Sequence, residues 1–321
     1  MPGDASQQPS LSAVVAEILA REQPQVVQTA ASRAAAAYGE AVEGVLFYGS
    51  GLRDGEAAGK ILDFYILVSD YRAAFSKRWL AAASRVLPPS VFFAESRLED
   101  GTRLASKINV IGLADFDRLA RGAGPGVAVW ARFAQPSALV YSRDAASRET
   151  IVEAVAAAVR TMLARSLPLC PAGADARAVW TTALGLTYGA ELRAEPPGKA
   201  EELYTASAES FDRLFAAALA ELGMATRRSE TGRLDLGESP SPRARRQARW
   251  AWRMRRIAGK LGSGTRLVKA AFTFDGGIDY LAWKIERHSG VRIEPTPWQR
   301  RHPILAGLYL FLRLRRRGAF R

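Results

Sequence analysis

Two short apolar runs separated by a glycine turn constrain this chain more than any other feature. Residues 45–48 are apolar and end in Gly49-Ser50-Gly51; nine residues (52–60) follow, and residues 61–68 are apolar on both strand faces except at Asp63. Apolar runs of this length bounded by turn residues are the mark of strands buried in a sheet. The spacing therefore predicts two core strands joined through a tight glycine turn, with one carboxylate inside the second.

Further elements follow from periodicity. Residues 11–39 carry apolar positions at helical spacing and predict one or two helices, interrupted near Pro24. A helix is expected over 71–86, stopping before Pro88-Pro89. Residues 91–94 and 108–111 read as short strands, which implies a mixed sheet. Residues 127–133 begin a helix that ends at Pro136, and 148–165, 176–192 and 200–222 read as amphipathic helices. Residues 225–246, rich in Arg, Ser, Pro and Gly, read as a linker or mobile loop. Helical patterning resumes at 250–261, 267–272 and 278–288. The organisation expected is α+β, with a sheet-bearing domain over 1–145, a helical domain over 146–224, the linker over 225–246 and a basic helical region over 247–321.

Composition narrows the class. With 321 residues, 48% hydrophobic and 24% charged, the chain has material for a large core and reads as globular. A single cysteine, Cys170, excludes a disulfide scaffold, and the polar opening MPGDASQQPS lacks the features of a signal peptide. A reducing cytosol is expected. The net charge of +13 is concentrated at one end: residues 243–321 hold 20 Lys and Arg against 4 Asp and Glu. Such polarity points to an anionic surface, nucleic acid or acidic lipid headgroups.

The chemistry suggested by the opening motif is phosphate binding. Glycines on both sides of Ser50 let backbone approach a phosphate, whose oxygens the hydroxyl and neighbouring N–H groups can cradle. An acid on the adjacent strand can hold a divalent cation bridging those phosphates. This layout resembles nucleotidyltransferases of the DNA polymerase β type, in which two acids sit at i and i+2 on one strand face. Here the i+2 residue is Tyr65, a departure from that pattern, so a second metal ligand is sought in Asp70 or Glu95. Taken alone, a Gly-Ser-Gly turn is only a turn in most proteins, and a lone strand acid serves equally as a structural group.

A longer series of segments runs in order along the chain. It comprises Tyr48-Gly49-Ser50-Gly51, Leu62-Asp63-Phe64 with Val68 and Asp70, Lys107, and Ala131-Arg132-Phe133-Ala134-Gln135-Pro136. Leu167-Pro168, Leu184-Gly185-Leu186-Thr187-Tyr188 with Glu191-Leu192-Arg193, and Phe274-Asp275-Gly276-Gly277-Ile278-Asp279-Tyr280-Leu281 continue it. Together they resemble the mitochondrial-type phosphatidate cytidylyltransferases, the translocator assembly and maintenance family and its bacterial relatives. The resemblance implies a nucleotidyltransferase domain, a helical winged-helix-like part, dependence on Mg²⁺, and peripheral attachment to the cytoplasmic face of a membrane. It implies the joining of CTP to phosphatidic acid to make CDP-diacylglycerol and pyrophosphate. Tyr48, Gly49, Ser50, Gly51 and Lys107 would then hold the nucleotide, and Asp63 the metal, with Asp70 or Glu95 as its second ligand. Lys107 and Arg132 would neutralise phosphate charge. Tyr188, Glu191 and Arg193 match a family segment of lesser weight, in which Glu191 and Arg193 serve equally as a structural ion pair.

The C-terminal residues 304–312 are apolar and bracketed by arginines. Such a segment suits an interfacial helix, with Leu305, Leu308 and Leu312 towards hydrocarbon and Arg313, Arg315, Arg316 and Arg317 towards lipid phosphates; it suits a last core helix with a charged rim as well. Two other functions stay open: a nucleotidyltransferase with a tRNA or protein acceptor, and a nucleic-acid-binding protein using the basic tail with Trp250 and Trp252 as stacking platforms. On the cytidylyltransferase reading no stable nucleic-acid partner is expected, and an oligomer is compatible with it.

Overall fold

The computed structural model describes residues 9–54, 61–97, 103–191, 196, 198–228, 234–237, 240–273, 294 and 296–301. In chain order the elements are α1 (Leu11–Leu19), α2 (Gln25–Ala36), β1 (Val42–Tyr48), α3 (Ser50–Asp54), β2 (Ile61–Val68), α4 (Tyr71–Ala74), α5 (Arg78–Val86), β3 (Ser90–Arg97), β4 (Arg103–Gly112), α6 (Leu113–Ala120) and α7 (Ala128–Phe133). β5 (Ala138–Ser142), α8 (Ala145–Ser166), α9 (Ala176–Ala190), α10 (Lys199–Ala206), α11 (Ala208–Glu221), β6 (Thr226–Arg228), β7 (Leu234–Leu236), α12 (Pro242–Thr273) and α13 (Pro297–Arg301) follow.

The fold is α+β around a mixed five-stranded sheet in the order β3-β4-β2-β1-β5. β2 runs parallel to β4 and antiparallel to β1, while β3 and β5 form antiparallel edges. Strand alternation divides the side chains between two cores. Val45, Phe47, Leu62, Phe64, Ile66, Ile108 and Val110 face the layer that contains α2, α4 and α5. Leu46, Tyr48, Tyr65, Leu67 and Ile111 face the other layer, where α1, α6, α7, α8, α9 and α11 share one continuous core with them. The expected boundary near residue 145 therefore has no break in packing behind it: α8 lies directly on the sheet core, with Ile151, Val155 and Val159 fully covered.

Several elements differ from the sequence expectation, each for a local reason. The helix expected over 71–86 is two pieces, because Phe75 adopts extended backbone and sends its ring into the core. β5 had no strong alternation to announce it and was missed; it pairs with β1 at the sheet edge. The stretch 225–246 holds β6 and β7, an antiparallel ribbon tied down by Leu236 N–H donating to Ala174 O and by burial of Leu236, and then the start of α12. The separate helical patches at 250–261 and 267–272 are one helix. Gly259 sits where that helix meets the carbonyl of Ala190, so a side chain there would collide with α9. The helix expected over 278–288 lies outside the described residues. Among the described residues no helix is long and apolar enough to cross a membrane.

Candidate active site

The sheet face that packs against α6–α9 changes character along its strands. At one end Leu67, Leu46 and Ile111 are sealed in the core; at the other the same face ends in Asp63 and Lys107. Register explains the meeting: Tyr48 pairs with Asp63 across β1–β2, and Asp63 pairs with Lys107 across β2–β4. Directly paired residues point to one face, so both charges emerge at the same edge of the core. Lys107 Nζ lies 3.8 Å from Asp63 Oδ1, with the two side chains 37% and 24% exposed. The pair is open enough to accept a ligand and shielded enough to interact more strongly than in bulk water.

Beside them the chain turns at Gly49, whose φ of +93° is strained for any residue with a Cβ. A Cβ built there would stand 3.0 Å from Asp63 Oδ2. Glycine is therefore required twice, for the turn and for the approach of the carboxylate. We expect Gly49→Ala to lose about 1–2 kcal/mol of stability and to push the Asp63 carboxylate out of its place beside the turn. A thermal melt checks the first effect, and a crystal structure of the variant checks the second.

Arg132, on α7, closes the inner wall. Its Nη1 donates to Tyr65 Oη at 3.1 Å and to the Ala128 carbonyl at 3.2 Å, and its guanidinium lies 5.2 Å from the Tyr48 ring centre. Burial alone would lower its pKa, but Tyr65, Tyr48, Glu191 and Asp63 act together in the opposite sense, so it stays cationic. Burial drives the Tyr48 hydroxyl well above the usual phenol range. That phenol accepts a hydrogen bond from Asn109 Nδ2 at 3.1 Å, which also donates to Phe64 O. Tyr65, the residue standing where an i+2 acid was sought, thus orients an arginine instead of binding a metal.

The cleft has a volume of about 320 Å³. Tyr48, Gly49, Ser50, Asp63 and Lys107 form one side, and Arg132, Gln135, Thr187, Tyr188, Glu191 and Lys199 line the rest. Tyr188 and Glu191, given least weight in sequence, come to the site from the C-terminal end of α9. Sequence reasoning missed Lys199 and Asn109, which carry no motif of their own; Gln135 and Thr187 lie within the ordered segments but were given no role there.

Three sequence candidates stand elsewhere. Asp70 lies beyond the opposite end of β2, about 20 Å from Asp63 at strand rise; it caps α4 by accepting from Arg72 N–H and pairs with Arg85 at 2.8 Å. Those contacts, the backbone hydrogen bond first, hold its carboxyl below the usual range. Glu95 is exposed on β3, two strands away and two residues out of register with the Phe93–Lys107–Asp63 row, roughly 12 Å from Asp63 between Cα atoms. Asp70, about 20 Å away, does not reach an ion held by Asp63, whereas Glu95 shares the strand face of Lys107 and Asp63 from the edge strand. Gly51 is buried beneath the turn against Phe47 and Leu62, so its lack of a side chain serves packing. Arg193 and the C-terminal Leu305, Leu308, Leu312, Arg313, Arg315, Arg316 and Arg317 lie outside the described residues.

Among the described residues no three His, Cys, Asp or Glu side chains gather as a metal cluster. Mg²⁺ does not demand one: it commonly takes one or two carboxylates, substrate phosphates and water. Asp63 and Glu191 are the two carboxylates among the described cleft residues, and that hard oxygen set, facing three cations suited to phosphate, fits the ion. No family model matches the chain, and no curated protein sequence matches it.

Proposed function

We propose that the cleft is the active site of a nucleotidyltransferase that takes CTP and phosphatidic acid and makes CDP-diacylglycerol and pyrophosphate at a membrane surface. The observation that carries this reading is the convergence of the Gly49 turn, Asp63 and Lys107 at the mouth of an open cleft whose inner wall is a fixed arginine. The ordered series of segments from Tyr48 to Leu281 supplies the acceptor and the base, and the fold assignment as a polymerase-β-type domain with a winged-helix-like partner rests on the same series.

In this reading an oxygen of the lipid phosphate attacks the α-phosphorus of CTP, the new P–O bond forms, and the bond to the α–β bridging oxygen breaks to release pyrophosphate. The nucleophile is already anionic at neutral pH, so no general base is needed, and neither His288 nor His302 enters. Positioning and charge neutralisation do the catalysis. The backbone at Gly49 and the Ser50 hydroxyl hold the β- and γ-phosphates, and Lys107 and Lys199 balance their charge. Arg132, held by Tyr65 and stacked near Tyr48, is pre-oriented towards the phosphate that leaves or enters. Mg²⁺ bound by Asp63, with Glu191 as second carboxylate, would draw off negative charge from the triphosphate.

The test is incubation of the purified chain with labelled CTP, Mg²⁺ and detergent-dispersed phosphatidic acid, in parallel with tRNA and with protein acceptors. Pyrophosphate release that depends on the lipid, with label in a chloroform-soluble product, is the expected result. Incorporation into polynucleotide or protein moves the same cleft to another acceptor, and release with none of them removes the reading.

A further inference from the structure

Helix α12 has two faces of opposite character. Trp252 and Gly259 are buried, with Arg245, Ala248, Ala251, Arg255 and Ala258 half-covered, along the side that meets α9 and the turn after α8. The other side is open. Trp250, Met254 and Ile257, at i, i+4 and i+7, are 68%, 42% and 49% exposed and form one narrow apolar stripe. Arg243, Arg246, Arg249 and Arg253 are exposed beside it. The sequence from 241 to 273 contains no Asp or Glu, so nothing on the helix neutralises them.

We infer that this outer face docks on an anionic lipid bilayer, the stripe entering the acyl boundary and the arginines meeting headgroup phosphates. Charge complementarity selects the partner's sign, and the stripe selects its kind. A polynucleotide would use the arginines and a stacking ring, but Met254 and Ile257 offer it nothing, whereas a bilayer interface rewards all three apolar residues. Trp252, the second ring of the pair, is buried and unable to stack on a base. The inference rests on the proposed function for its purpose: the covered face of α12 abuts the C-terminal end of α9, where Arg256 lies against Gly189 and Gly259 against Ala190. Docking then holds a bilayer about one helix diameter from the end of α9 that bears Tyr188 and Glu191.

The experiment uses the full chain with phosphatidylcholine vesicles, with or without phosphatidylglycerol, and no CTP or phosphatidic acid. Sedimentation is expected to show binding to the anionic vesicles only, weakening as salt rises. Replacing Trp250, Met254 and Ile257 together with serine is expected to lower partitioning by about 10-fold or more, with an unchanged melting temperature because all three are exposed. Brominated lipid is expected to quench emission from the native chain and to lose that share of quenching in Trp250→Phe. Binding that survives the triple substitution, or a Trp250 signal that lipid does not quench, overturns the inference, as does binding to RNA but not to vesicles. Turnover of detergent-dispersed phosphatidic acid separates the two claims: if it proceeds while vesicle binding fails, only the docking face is lost, and the reverse outcome removes only the active-site reading.

Discussion

Asp63→Asn is expected to leave the fold and melting temperature nearly unchanged and to cut lipid-dependent pyrophosphate release from CTP by about 10³-fold. The substitution keeps the size of the side chain and removes its charge. On the proposed reading that charge has two tasks: holding a divalent cation, and opposing Lys107, which lies 3.8 Å away. A partly exposed ion pair of this kind contributes little to stability, so a structural role would show as a modest change in melting temperature with normal turnover. Loss of turnover with an intact melt separates the two. As a second readout, the affinity for Mn²⁺ in the presence of CTP is expected to fall in the variant, and unchanged affinity would place the ion elsewhere.

Trp252→Ala is expected to be the most destabilising single change among the described residues of the basic region, at about 3–5 kcal/mol. The ring is 2% exposed, meets Trp130 edge-on at 5.8 Å, and its Nε1 donates to the Arg165 carbonyl at 2.9 Å. Removal opens a cavity and strands a carbonyl at once. A fall in melting temperature of about 10 °C is expected, against a change within about 0.5 kcal/mol for Trp250→Ala. Equal effects at the two tryptophans would mean that α12 is not anchored to the core in the way described.

The contrast between these neighbours shows what the sequence carried and what it withheld. The apolar runs of β1 and β2 were legible because both faces of each strand are buried, and Asp63 stood out as the one interruption. That Asp63 meets Lys107 follows from parallel pairing of β2 with β4, which no local pattern encodes. Asp70 resembled a metal ligand by proximity in sequence, yet a strand carries its two ends far apart, and helix capping explains the residue fully. Glu191 was marked only by the segment it shares with Tyr188, whereas Lys199 reaches the cleft because α10 folds back over the sheet; long-range packing decides this, and side-chain type gives no warning of it. The basic region was read as fragments because its glycines weaken helical propensity, whereas Gly259 is the residue that lets α12 press against α9. Trp250 and Trp252 look alike in sequence and differ because a two-residue step on a helix turns the side chain to nearly the opposite face.

The central claim is that a triphosphate lies between the Gly49 turn and Arg132 with its charge met by Asp63-bound metal and Lys107. A crystal structure of the chain with a non-hydrolysable CTP analogue and Mg²⁺ tests this most directly. The expected density places the ion on Asp63 and the β- and γ-phosphates over Gly49 and Ser50, within reach of Lys107. Nucleotide density at any other surface, or a phosphate chain in this cleft with Asp63 turned away from its ion, contradicts the account.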